Sequence, residues 1–215
     1  MSVMAARVGG AESRGEADAV ATASRGQTRP GAIVVSLDFE LHWGVRDRRS
    51  ATGPYAENLR GARQAVPRIL ELFQEFGVAA TWATVGLLFA RSREEARAYW
   101  PRERPGYADA RLDPYREVVG EGEADDPFHY APSLISLIQT GPRQEIATHT
   151  FSHYYCLEPG QGREAFSADI ASAVAIARDR GIDITSIVFP RNQVNPDYAE
   201  EVRRKWAGTL PFLRK

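Results

Sequence analysis

The chain has 215 residues, of which 43% are hydrophobic and 26% charged, as is typical of a soluble globular protein. A formal net charge of −1 gives no electrostatic basis for binding nucleic acid or an anionic membrane. No apolar segment approaches the roughly 20 residues that cross a bilayer, so we expect no membrane span. The single cysteine excludes an intramolecular disulfide, which is consistent with a reducing compartment, and we expect the cytoplasm.

The N-terminal stretch differs in composition from the rest of the chain. It is rich in alanine, glycine, serine and charged residues, and it lacks both aromatic residues and the hydrophobic segment of a secretory signal. We predict that residues 1–30 are a disordered tail and that residues 31–215 form one folded domain.

The first half of the domain reads as two strands that flank a helix. A β-branched run predicts a buried strand at 32–38, and apolar residues at helical spacing predict a helix at 57–76. Pro67 within that pattern indicates either a kink or two shorter helices. The next strand is predicted at 78–86. Residues 91–127 are charged, proline-rich and without periodicity, which indicates an insertion of short helices and loops.

The second half continues the alternation. A helix is predicted at 132–139, a strand at 144–150, a helix at 163–180, a strand at 184–190 and a helix at 195–206. Strands that alternate with helices indicate an α/β fold with parallel strands.

Polar side chains cluster where three of the predicted strands end, at 38–40, 149–153 and 190–193. In folds with parallel strands, functional groups lie at the carboxyl ends of the strands. We therefore expect these three stretches to meet and to form the functional site.

Two of the chain's four histidines, His149 and His153, lie four residues apart in the sequence HTFSH. This spacing places both imidazoles on one face of a helical turn, and in an extended segment it also places them on one side. Alone, the pair is weak support for a metal site, because a structural role accounts for it equally simply.

Two acidic residues, Asp38 and Glu40, follow the first predicted strand in the sequence IVVSLDFELHWG. A buried carboxylate is costly unless a cation compensates its charge. Two neutral imidazoles and one carboxylate suit a divalent ion such as Zn²⁺, so one acid would bind the metal and the other would serve as a base. A solvated loop position is the alternative for either acid.

These stretches resemble the polysaccharide deacetylase, or NodB-homology, superfamily of carbohydrate esterases. HTFSH matches the second motif of that family, His-(Ser/Thr)-x-x-His, and DFE resembles the Asp-x-acid variant of its first motif. FPRNQ, at 189–193, carries the arginine and proline of the third motif in shifted order. The resemblance covers about residues 31–206, and HTFSH is its most specific part.

The resemblance implies a distorted (β/α) barrel and assigns roles to five residues. Asp38 corresponds to the general base, and Glu40, His149 and His153 correspond to the ligands of a divalent metal, in our expectation zinc. Arg191 corresponds to the arginine that orients the base.

The chain departs from the family pattern at its end. The family's last strands carry a Leu-x-x-His motif whose histidine is the general acid, but no histidine follows His153. We interpret the chain as C-terminally truncated, with an incomplete barrel of about four parallel strands. Open strand edges predict poor solubility or self-association.

Four further residues have two readings each. Trp43 either stacks on a sugar ring or anchors its loop by packing, and Asn192 is a candidate hydrogen-bond partner of the substrate or an ordinary loop residue. His42 is either an additional ligand or a residue at the rim of the site. His129 either lines the cleft or packs at the entry of a helix.

The leading hypothesis for function is metal-dependent hydrolysis of the N-acetyl amide of a carbohydrate substrate. One alternative keeps the metal but acts on the amide C–N bond of a small non-sugar molecule. Another is an inactive, truncated remnant that binds metal or carbohydrate without turnover. The absence of a G-x-S-x-G elbow argues against a serine hydrolase.

Overall fold

Three parallel strands form one sheet in the computed structural model, which describes residues 31–198 and Val202. The strands, in sheet order, are β1 (Ser36–Phe39), β2 (Ala80–Thr84) and β3 (Gln144–Thr148). Asp38 lies opposite Ala83, which lies opposite Ala147. The predicted α/β fold with parallel strands is confirmed. The predicted tail at 1–30 and most of the last predicted helix lie outside the described residues.

The helices follow the predicted pattern closely. They are α1 (Ala56–Phe76), α2 (Arg93–Ala98), α3 (Pro132–Thr140) and α4 (Arg163–Arg178). Helix α1 is continuous through Pro67, so the alternative of two shorter helices is wrong. It ends at Gly77, whose φ of 63° lies in the left-handed region that glycine adopts without strain.

One face of the sheet is covered by helices. Phe39, Trp82 and Ile146 alternate toward this face and belong to the main buried core. They share that core with residues of α1 and α3, namely Val66, Leu70, Ile135 and Ile138. Burial of these apolar side chains is the main source of stability for the sheet.

The opposite face of the sheet is polar. Ser36 and Asp38 of β1 are exposed there. Glu145 of β3 accepts hydrogen bonds from Oγ1 of Thr81 at 2.6 Å and from Oγ of Ser186 at 2.7 Å. These bonds satisfy a half-buried carboxylate that would otherwise be costly.

The predicted fourth strand, at 184–190, is not formed as a strand. It makes a single parallel bridge from Ile187 to Thr148, and two backbone hydrogen bonds accompany it. In the described part of the chain, no further strand pairs with its outer side to extend the ladder. The structure therefore shows an open sheet of three strands, not closed into a barrel, and the prediction of about four strands is corrected.

The insertion predicted at 91–127 consists of short elements, as expected. After α2 it contains two 3₁₀ turns, Ala110–Leu112 and Pro114–Arg116. Both turns are capped by aspartates, because Asp109 and Asp113 accept backbone N–H groups of the turns that they precede. None of the helices within the described residues combines the length and apolar character of a membrane-crossing segment.

Candidate metal centre

Glu40 lies directly after β1, at the start of a tight 3₁₀ turn, Leu41–Gly44. Its carboxyl group is folded back against Gly44. A Cβ atom at position 44 would overlap with Cδ and Oε1 of Glu40, so the lack of a side chain at Gly44 makes room for this conformation. Gly44 thus permits the conformation in which the carboxylate of Glu40 lies against the turn.

His149 and His153 lie in a loop that follows β3 and has neither of the two conformations expected from their spacing. The segment is neither a helical turn nor an extended strand. Thr150 and His153 have φ angles of 66° and 58°, in the left-handed region that non-glycine residues seldom adopt. Both imidazoles nevertheless point to one place, because these two reversals fold the loop around it.

Asp169 of α4 holds this loop in place, and sequence reasoning missed it. Its carboxyl group accepts the backbone N–H of Phe151 at 2.7 Å, and also the N–H and the hydroxyl of Ser152. The side chain is fully buried, and burial raises the pKa of Asp169 to about 7. A lone acid at a helical core position, such as this one, is the sequence signal that would have identified it.

Gly86 supports the loop from the other side. Its backbone N–H donates to the carbonyl of Thr150 at 2.9 Å, and a Cβ atom at this position would overlap with the ring and the Cα of Phe151. The loop is therefore positioned by a close backbone approach as well as by Asp169. Left-handed residues persist where the surrounding structure over-determines them, as it does here.

The three predicted ligands come together. Nε2 of His153 lies 2.9 Å, and Nε2 of His149 lies 3.3 Å, from the same oxygen, Oε2 of Glu40. Both imidazoles are buried, whereas the Glu40 side chain is 27% exposed. Side chains from two segments more than 100 residues apart thus converge on one point at the carboxyl ends of β1 and β3.

The hydrogen bonds of His149 leave one ring nitrogen without a partner. Nδ1 donates to the carbonyl oxygen of Val188 at 2.9 Å, so Nε2 carries a lone pair. In the described part of the chain this buried atom has no hydrogen-bond partner, and it faces a carboxylate oxygen that can only accept. Nδ1 of His153 is likewise buried without a partner.

The protonation states fit a cation. Burial raises the pKa of Glu40, but its close contacts with the imidazoles of His149 and His153 outweigh this and hold the pKa well below its usual range. Burial lowers the pKa of His153. A charged carboxylate and a neutral imidazole are the forms that a divalent metal ion requires. The donor set of two imidazoles and one carboxylate therefore fits such an ion, and the structure leaves its identity open.

No hydrogen bond or ion pair joins Asp38 and Arg191, the two residues that were predicted to be catalytic. Asp38 is exposed on the polar face of the sheet and makes no ion pair or side-chain hydrogen bond with any described residue. Arg191 instead donates to Oδ1 of Asp47 at 2.6 Å. Its guanidinium lies over the ring of Tyr155, 4.6 Å from the centroid, and that ring contacts His153 edge-on. The expected contact between Arg191 and Asp38 is therefore replaced by one with Asp47.

Asp47 is a second carboxylate that sequence reasoning missed. Its side chain is 9% exposed. Burial raises the pKa of Asp47, but the hydrogen bond and the charge of Arg191 outweigh this and lower it. The residue occurs in a loop with an adjacent arginine, and nothing in that local pattern indicates a partner 144 positions away.

The two predicted substrate contacts are placed differently. Trp43 is buried, its Nε1 donates to the carbonyl of His129 at 3.0 Å, and its ring packs edge-on against the His129 ring. The packing alternative for Trp43 is thus the one that the geometry matches. Asn192 is exposed at the end of the 3₁₀ turn Pro190–Asn192, with a left-handed φ of 54°.

A second group of potential metal ligands lies beside Trp43. It consists of His42, His129 and Glu117, whose ligand atoms lie within 4.8 Å of one another. His42 and His129 were interpreted separately from sequence, because they are 87 positions apart and no spacing motif joins them. With this group, all four histidines of the chain belong to one of two clusters.

Comparison of the chain with protein-family models, with curated proteins and with solved structures found no match.

Proposed function

We propose that Glu40, His149 and His153 bind a divalent metal ion, with zinc as the first candidate, and that the chain hydrolyses an amide C–N bond. The observation that supports this most directly is the pair of facing acceptors, Nε2 of His149 and Oε2 of Glu40. A divalent ion in such a site polarises a carbonyl group and acidifies water. Three protein ligands are the number that catalytic zinc sites use, since they leave a position for other groups.

The residues around the triad have distinct roles in this proposal. Glu40, His149 and His153 hold the ion, and Asp169 keeps the histidine loop in its folded-back form. Asp38, two residues before Glu40, accepts the proton that the attacking water loses. Arg191 is a positioning residue that closes one side of the site through Tyr155 and Asp47.

The substrate class rests on the resemblance of DFE, HTFSH and FPRNQ to the polysaccharide deacetylase superfamily. On this basis the scissile bond is the N-acetyl amide of a carbohydrate, and the products are acetate and a free amino sugar. The alternative of a small non-sugar amide keeps the same ligands and the same base. In both cases the amine leaving group needs a proton, and water is the donor we propose, since all four histidines are in the two clusters.

An inactive metal-binding remnant is a second candidate, and one observation favours it. Within the described residues, Asp38 has no side-chain ion pair or hydrogen bond that would aim its carboxylate, whereas general bases are normally held in position by a partner. In this case the triad would still bind metal but would support no turnover.

The deciding experiment measures zinc content and acetate release on the same preparations. After zinc loading, we expect acetate from N-acetylglucosamine oligomers, loss of release with a chelator, and recovery when zinc is added back. Glu40→Gln is expected to lose the zinc ion of the triad and the activity. Glu71→Gln, which removes an exposed carboxylate from α1, is the matched control and should retain both.

Three outcomes separate the candidates. Acetate release only from a small acylated amine would identify the non-sugar substrate. Zinc bound by the triad with no release from either substrate, together with calorimetric binding of the sugar, would identify the remnant. If Glu40→Gln binds as much zinc as the wild type, the proposed site is overturned.

A further inference from the structure

We propose that His42, His129 and Glu117 bind a second divalent transition-metal ion, distinct from the one held by Glu40. Nδ1 of His42 lies 2.8 Å from Nε2 of His129. Oε1 of Glu117 lies 3.7 Å from each of these nitrogens. Both rings are buried, so the two nitrogens meet away from bulk water.

Nδ1 of His42 and Nε2 of His129 face each other and are here called the inner nitrogens, and the second nitrogen of each ring is the outer one. The hydrogen bonds of the outer nitrogens determine whether the inner nitrogens carry a proton or a lone pair. Nε2 of His42 lies 2.8 Å from the carbonyl oxygen of Arg49, which can only accept, so this nitrogen donates. Nδ1 of His129 lies 2.7 Å from the carboxylate of Asp126 and donates to it for the same reason. In neutral rings, the inner nitrogens then carry lone pairs that point at each other, and either a proton on one ring or a metal ion placed between or beside them relieves this.

The spacing of the three atoms suits a metal ion. Zinc–nitrogen bonds of about 2.0–2.1 Å in a tetrahedral site place two ligand atoms about 3.3 Å apart. The observed separations of 2.8, 3.7 and 3.7 Å lie on both sides of this value. A shift of a few tenths of an ångström in each side chain therefore completes the site.

The surroundings have the second layer of contacts that metal sites use. Histidine ligands of metals almost always donate their other ring nitrogen to a carbonyl or a carboxylate, as His42 does to Arg49 and His129 to Asp126. Glu117 provides the way in, since its side chain is 28% exposed and lines a cavity of about 280 Å³ together with Trp43 and Trp100.

The second ion would join two distant parts of the chain. His42 belongs to the 3₁₀ turn that follows Glu40. Glu117 belongs to the insertion, and His129 lies just after it, before α3. The backbone N–H of His42 also donates to the carbonyl of Phe128 at 3.2 Å. A metal held here would fasten the insertion to the turn that carries a ligand of the first site. Its role would therefore be structural.

The test is the metal stoichiometry of the full chain after zinc loading and removal of free metal, measured by elemental analysis. We expect two zinc ions per chain in the wild type and one in Glu117→Gln, with the remaining ion lost when Glu40→Gln is added. Glu121→Gln removes an exposed carboxylate from the same insertion and should leave two ions bound. Circular dichroism checks that each variant is folded.

Cobalt(II) titration of the unmodified chain provides a measurement that does not depend on a variant. Two saturating steps, each with visible ligand-field absorption, would support the proposal. The proposal would be overturned if the wild type bound one ion per chain and this ion were lost with Glu40→Gln but retained with Glu117→Gln. In that case a proton shared between His42 and His129 would account for their contact. One ion lost only with Glu117→Gln would support the second site and contradict the first.

Discussion

Nε2 of His149 and Oε2 of Glu40 face each other at 3.3 Å, and neither atom has a proton to give to the other. The ring proton of His149 is on Nδ1, where the carbonyl of Val188 accepts it. Two acceptors in this arrangement, of which the His149 nitrogen is buried, repel each other unless a cation lies close to both. The position of the Glu40 carboxylate also depends on Gly44, whose lack of a side chain leaves room for it.

Gly44→Ala tests that dependence. The added Cβ overlaps with the carboxyl group of Glu40, so the side chain has to swing away from the histidines. Loss of a contact that merely supports a ligand costs about 10–100-fold in metal affinity, and we expect at least this for a displaced ligand. Competition with a chromophoric chelator measures the zinc affinity.

Gly61→Ala is the matched control, since nothing lies within 4 Å of a Cβ atom at that exposed position in α1. Its zinc affinity should equal that of the wild type, and its unfolding free energy should rise by up to about 1 kcal/mol. Equal zinc affinities for the two alanine variants would remove Glu40 from the ligand set.

Asp169 predicts a pH dependence of stability. Because burial raises its pKa to about 7, the folded chain holds a proton that the unfolded chain releases near pH 4. Between these values the folded state binds more protons, so its stability falls as the pH rises toward 7. The advantage of the wild type over Asp169→Asn should therefore shrink by up to about 4 kcal/mol across this range.

The measurement is urea unfolding of both chains, without metal, at intervals between pH 4 and 7.5. Titration of all other groups cancels in the difference between the two proteins. Ser152→Ala keeps Asp169 but removes a hydrogen bond that lowers its pKa, so the stability of this variant should keep falling up to a higher pH than that of the wild type. A difference curve that is flat with pH would mean that Asp169 is ionised throughout.

Local patterns in the sequence predicted the helices and the histidine pair, and the family resemblance assigned Glu40 as their partner, whereas the contacts that shape the site were beyond both. The spacing of His149 and His153 suggested a shared face, yet the chain achieves it with two left-handed residues that no spacing rule describes. A lone acid on the core face of α4 singles out Asp169, but which loop it supports depends on tertiary contact. The pair of His42 and His129 was missed for the same reason, since ligands far apart in sequence leave no local pattern.

The choice of general base is the next prediction. We expect Asp38→Asn to lower kcat for amide hydrolysis by about 100-fold or more, which is the usual contribution of a positioned base, with zinc content unchanged. Asp47→Asn should have a smaller effect, because Asp47 acts by holding Arg191. Steady-state kinetics of both variants, with zinc content checked, decide between them. The reverse order of effects would assign the base to Asp47.

Self-association is expected through the free edge of β1, which pairs only with β2 in the described part of the chain. Val35 and Phe39 direct their carbonyl groups toward β2, so the backbone groups of Ser36 and Asp38 point outward and are available to another chain. We predict a concentration-dependent increase in mass in sedimentation experiments.

Ser36→Lys should shift this equilibrium toward the monomer, since an edge lysine disfavours strand pairing. Gln74→Lys adds the same charge at an exposed position of helix α1 and should leave the equilibrium unchanged. A wild-type chain that stays monomeric at every concentration would contradict the prediction.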